Sequence, residues 1–217
     1  MRVIFIFLIS QFILLPIIAG LVRLNRIGRT YRPFFILLVI GFITEVISFV
    51  MIKGYHQHNA IPSNIYILVE WIMIVWQFHE WGLMKKKERL FYALVTLVCL
   101  IWVVENLVLG EITEFSPYFR ISYYFLIVVL SINNINFMIT HDNRSLLRNA
   151  RFLICIGFLI YFIFMILDYW AYQVSRYGKS EISTTFVFLM AYINALTNSI
   201  YAIAFLLIPA PVRFTLK

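Results

Sequence analysis

Apolar positions along this chain run in long blocks, and polar ones collect in the short gaps between them. Residues 3–22, 33–53, 63–83, 90–109, 118–140, 150–171 and 184–208 are each nearly continuous in hydrophobic side chains. The gaps read "RLNRIGRTYRP", "KGYHQHNAIPSN", "MKKKER", "GEITEFSP", "THDNRSLLRNAR" and "SRYGKSEIS". Roughly 20 apolar residues in a helix cross about 30 Å of hydrocarbon, so each block predicts one transmembrane helix. Helices are the natural solution because every backbone N–H in lipid must find its partner within the segment. Pro33 and Pro62 fall near helix starts, where a missing N–H costs little, and Pro209 and Pro211 close the last block.

Composition makes the bilayer the solvent. The chain is 63% hydrophobic and 13% charged, where a soluble domain carries about 25% charge. Its 217 residues suit one all-α, seven-helix membrane domain over residues 1–217, and no linker or low-complexity run marks a second one. The first block, "MRVIFIFLISQFILLPIIAG", has a thin basic start and no A-x-A site, and four arginines follow it. It is expected to be a retained helix, not a cleaved leader.

Charge gives an expected orientation. Of the 18 basic residues, thirteen fall on one side: Arg23, Arg26, Arg29, Arg32, Lys85, Lys86, Lys87, Arg89, Arg144, Arg148, Arg151, Arg213 and Lys217. Arg2, Lys53, Arg120, Arg176 and Lys179 fall on the other. The positive-inside rule then puts the N-terminus outside and the C-terminus in the cytoplasm. The net charge of +8 reflects this topology and attraction to anionic lipid. Short basic loops with no soluble fold to present them do not suit nucleic acid. Short loops and termini suggest a bacterial plasma membrane.

Against this background the polar residues inside the spans stand out. An acidic side chain at a helix centre costs a few kcal/mol on insertion scales and rarely faces lipid. Glu70 lies within "NIYILVEWIMIVWQFHEW", where Ser63, Tyr66, Glu70 and Gln77 share one helical face. Glu45, in "GFITEVISF", comes from the preceding, antiparallel span. At 1.5 Å per residue both carboxylates lie about 10–12 Å below the same boundary. Glu105 and Asp168 fall in the same half of the membrane, nearer its surface. The last span adds Tyr192, Asn194 and Asn198, with Asn194, Asn198 and Tyr201 on one face. These eight positions — Glu45, Glu70, Gln77, Glu105, Asp168, Tyr192, Asn194 and Asn198 — are the candidates for an acidic, outward-facing site that would suit a proton, a cation or an amine. The bland reading is that they pair with one another to fix helix packing.

Other chemistries find little support. "INNIN" in the fifth span offers either a kink or a hydrogen-bonded packing face. His56 and His58 form an H-x-H in a loop, a weak metal signal. His79-Glu80 lacks a second histidine at the right spacing, since position 83 is Leu83. Cys99 and Cys155 lie inside spans and read as small hydrophobes. The one N-x-S/T sequon, Asn143 to Ser145, falls in an expected cytoplasmic loop. There is no G-x-S-x-G, C-x-x-C or phosphate loop, so no enzymatic nucleophile can be named. Seven spans with an outside N-terminus invite comparison with retinal proteins, but the last span has no lysine for a Schiff base, and no other cofactor is indicated.

A repeat can be traced faintly. "VIGFITEVISF" lies on "CIGFLIYFIFM", and "IPSNIYILVEW" on "ISTTFVFLMAY", which pairs Gln77 with Asn198. This three-plus-one-plus-three plan is similar to that of small sugar-exporting seven-helix transporters, although the Pro-Gln dipeptide typical of one such group is absent. Two functional expectations result. One is a membrane sensor or receptor that binds a small ligand or cation and signals to a separate cytoplasmic partner. The other is a small transporter of a solute or cation, with proton coupling through Glu45 or Glu70. A non-catalytic subunit of a larger membrane complex is the third.

Overall fold

The computed structural model describes residues 2–84, 88–110, 112–114, 116–141, 145–175 and 180–209, with only the backbone described for residues 2–3, 172–175 and 180–184. Among the described residues the chain is all α-helical and has seven helices long and apolar enough to cross a membrane. The basic residues at 85–87, 144, 176, 179, 213 and 217, with Asn143 of the sequon and Pro211, lie outside the described residues.

The first span is one rod in two pieces, α1 (Arg2–Ser10) and α2 (Leu14–Val22), joined by a 3₁₀ turn at Gln11–Ile13. Pro16 accounts for the break. Its ring crowds the carbonyl four residues back, at Phe12, and it offers no N–H to that carbonyl. The following helices are α3 (Arg32–Gly54), α4 (Ala60–Glu80), α5 (Glu88–Val103), α6 (Pro117–His141), α7 (Ala150–Ser175) and α8 (Ser180–Leu206). A π-helical turn, Val104–Leu109, extends α5. α4 stops three residues earlier than its hydropathy suggests, because Gly82 takes φ +93°. There Gly82 and Leu83 turn back to donate to the carbonyls of His79 and Phe78, closing the helix in the left-handed conformation that glycine favours. The "INNIN" run does not interrupt its helix: α6 continues through it to His141.

The packing order is a ring. α3 packs on α4, α4 on α6, α6 on α7, α7 on α8, and α8 on α1 and α2, which close back on α3. α5 stands outside the ring against α4 and α6. The ring therefore consists of the first three spans and the last three, and the middle span is peripheral.

Polar clamps fix the two ends. At the face where α1 begins, the N-terminal face, Asn64 is fully buried. Its amide donates to the carbonyls of Ile112 and Glu114, its own carbonyl accepts from Trp102 Nε1 at 2.9 Å, and its Oδ1 accepts from Arg120 at 3.1 Å. One residue thus ties α5, through its backbone carbonyl, and the following loop and α6, through its side chain, to α4. At the opposite, C-terminal face Gln77 does similar work. Its Oε1 accepts from the Phe34 N–H at 2.9 Å, and its Nε2 donates to the Thr30 carbonyl. Those two backbone groups stand four residues apart, so the Gln77 amide bridges the gap where the first α-helical hydrogen bond of α3 would lie.

Candidate functional site

A cavity of about 210 Å³ lies in the middle of the ring, and every ring span contributes to it. Ser10 comes from α1, Thr44, Glu45 and Ser48 from α3, and Ser63, Tyr66 and Glu70 from α4. Arg120, Tyr123 and Tyr124 come from α6, Tyr161 and Met165 from α7, and Asn194 from α8; α5 supplies nothing. The cavity reaches Asn59, in the loop of the N-terminal face.

Glu70 sits at its floor. It is buried and accepts hydrogen bonds at both oxygens, from Tyr123 at 2.8 Å and from Tyr66 at 3.1 Å. Tyr66 stands one turn before Glu70 on α4, so its bond follows from helix geometry; the Tyr123 bond crosses to α6. Glu45 lines the same cavity from the neighbouring helix α3, half-buried, and Tyr66 and Tyr161 line the space with both carboxylates. The two carboxylates thus meet in one cavity, the arrangement that helix counting implies.

In the sequence Arg120 counts only as a charge near a span boundary bearing on orientation. It stands one turn inside α6 and lines the cavity, donating to Ser63 Oγ at 3.0 Å and to Asn64 Oδ1. A guanidinium therefore shares the space with two carboxylates, and the site holds both signs of charge.

A second, smaller chamber of about 60 Å³ lies on the C-terminal side of the first. Tyr66, Glu70, Tyr161 and Asn194 line both, so Glu70 stands at their junction. Asn194, Thr197, Asn198 and Tyr201 of α8 all face the lower chamber. Asn198 is buried and donates to the Asn194 side chain at 2.8 Å and to its carbonyl at 2.9 Å. Beyond them the way is filled by aromatic rings. Phe34 packs on Tyr201, Phe158 and Phe205 at centroid distances of 4.9, 5.4 and 5.8 Å, and Phe78 on Phe158 at 6.0 Å. Phe34 and Phe78 belong to the first three spans and the others to the last three, so this plug is built across the two halves of the ring.

Of the eight candidate positions, Glu45, Glu70 and Asn194 line the cavity, and Asn198 lines the chamber below. Gln77 shares the helical face of Glu70 but lies about 10 Å further along α4, where backbone groups occupy its amide. Glu105 accepts from the Tyr118 and Phe119 N–H groups at 2.9 and 2.7 Å, capping the start of α6. Asp168 lines neither space. Tyr192 is 56% exposed on the outside of the bundle. A wider groove of about 450 Å³ between α5 and the start of α6 is walled mainly by Leu97, Leu100, Ile101, Val104 and Leu109. Of its two glutamates, Glu105 is the helix cap and Glu114 is exposed. Among the described residues, no three His, Cys, Asp or Glu side chains converge as metal ligands.

No protein-family model, curated protein or solved structure matches this chain. The fold and site define a seven-helix, membrane-type bundle with a charged central cavity.

Proposed function

We propose that the protein is a small-solute transporter of the plasma membrane, with the central cavity as its substrate site. The observation that carries this reading is a second, mainly apolar chamber that shares Tyr66, Glu70, Tyr161 and Asn194 with the cavity and ends at a plug built from both halves of the ring. Binding sites at the interface of two repeats, closed by packing that the halves can exchange, are how many secondary transporters achieve alternating access. Two three-span halves with α5 outside both fit that plan. In the orientation given by the basic loops, the cavity faces outward and the plug faces the cytoplasm.

The receptor reading keeps one observation in its favour: the plug closes the cavity on the C-terminal side. The two readings part on access. Asn198→Cys, in a chain with Cys99→Ala and Cys155→Ser, is to be labelled with a membrane-impermeant thiol reagent in right-side-out and inverted vesicles. Transport requires labelling from both faces. Labelling from one face alone, with substrate candidates present or absent, would turn the assignment to a receptor.

A further inference from the structure

We infer that the ligand of the central cavity is a small zwitterion, an alkylated ammonium group joined to a carboxylate or similar anion. This deepens the reading of the cavity as a substrate site and rests on it. Two carboxylates, Glu45 and Glu70, call for positive charge in the ligand. The kind of cation follows from the walls. Tyr66, Tyr123, Tyr124 and Tyr161 all line this one space of about 210 Å³. Aromatic rings beside carboxylates form the setting that holds alkylated ammonium groups, because the ring quadrupole attracts a cation that has few or no N–H donors of its own. A hard metal ion needs several oxygen ligands at close range. Here both oxygens of Glu70 are already taken by tyrosine hydroxyls, and no metal-ligating trio converges among the described residues.

Arg120 supplies the second half of the argument. Its guanidinium lies at the level of Ser63, seven residues before Glu70 and so about 10 Å nearer the N-terminal face along α4. A fixed cation at that level, held by Ser63 and Asn64, repels a bare cation and attracts a carboxylate by its charge. The cavity is thus positive toward its mouth and negative at its floor. Thr44, Ser48, Ser63 and Asn194 add neutral hydrogen-bonding groups around it. The volume of about 210 Å³ suits a small molecule.

The test uses the full chain in lipid nanodiscs and follows thermal unfolding with trimethylglycine, tetramethylammonium and acetate as probes. Trimethylglycine should raise the melting temperature in a saturable way, and more than either half-molecule. Glu45→Gln and Arg120→Gln should each weaken its apparent affinity tenfold or more. Tyr161→Phe, which keeps the ring, should retain binding, and Tyr161→Leu should lose it; this pair separates ring recognition from a general loss of folding. Stabilisation by tetramethylammonium or acetate equal to that by trimethylglycine would overturn the inference, as would no response to any probe or equal binding by the Phe and Leu variants. Saturable binding of trimethylglycine without flux would uphold the ligand class and remove transport instead.

Discussion

Replacing Gln77 by methionine isolates the clamp that starts α3. Methionine keeps the length and nearly the volume of glutamine, so packing changes little, but both polar atoms go. The Phe34 N–H and the Thr30 carbonyl then lose the partners that the Gln77 amide supplies. A buried group left unsatisfied costs about 1–3 kcal/mol. Interhelical hydrogen bonds in membranes average only about 0.6 kcal/mol, because the freed groups find other partners. Here the available alternative is a direct bond between the two freed groups, which requires the backbone before Pro33 to tighten. The expected loss for Gln77→Met is therefore about 2 kcal/mol, above the membrane average and below the sum of two orphaned groups. Unfolding in a mixed-micelle denaturant series, with wild type and variant compared at one lipid fraction, measures it. A loss under about 0.5 kcal/mol would refute the clamp as a stabilising device. A loss above about 4 kcal/mol would mean that the side chain holds more than these two groups.

Three further substitutions separate structural roles from the cavity. Gly157→Ala places a methyl group against the Tyr201 ring; overpacking of this kind costs about 1–3 kcal/mol, and the displaced ring should loosen the plug, read as faster thiol labelling at position 198 from the C-terminal face. Glu105→Ala removes the cap of α6 and should cost about 1 kcal/mol of stability, with probe binding unchanged once the protein is folded. Tyr192→Ala alters an exposed side chain on the outside of the bundle and should leave probe affinity within twofold, measured by the same thermal titration.

The seven helices were legible because hydropathy and length set them almost alone. Two irregularities inside them follow from neighbours. The turn at Gln11–Ile13 needs Pro16 to be read as a helix breaker although its surroundings are wholly apolar, and the π turn at Val104–Leu109 has no marker in the pattern. The meeting of Glu45 with Glu70 was legible because two antiparallel spans joined by a short loop share a depth scale. The fates of Gln77 and Glu105 were not. Hydropathy says that such a side chain avoids lipid, not whether it turns to a cavity or to a helix end, and both pair with backbone groups at helix starts. Arg120 was hidden because a basic residue close to a span boundary counts first toward orientation. Asn64 was hidden because it sits beside a loop rich in polar residues, yet it ties α4, α5 and α6 together. On α8, Asn194 and Asn198 stand four residues apart on one face, whereas Tyr192 is rotated about 200° from Asn194 and points away.

The most direct test of the account is uptake through a plug that can be locked. Phe34→Cys and Phe205→Cys, whose parent rings stack at 5.8 Å, join the two halves when linked by a cleavable bifunctional thiol reagent in a chain lacking Cys99 and Cys155. The protein, reconstituted in liposomes, is assayed for uptake of labelled trimethylglycine before linking, while linked and after cleavage. The account expects saturable uptake that stops while the halves are linked and returns on cleavage, with binding retained throughout. Uptake unchanged by the link, or none from protein that binds the probe, would contradict it.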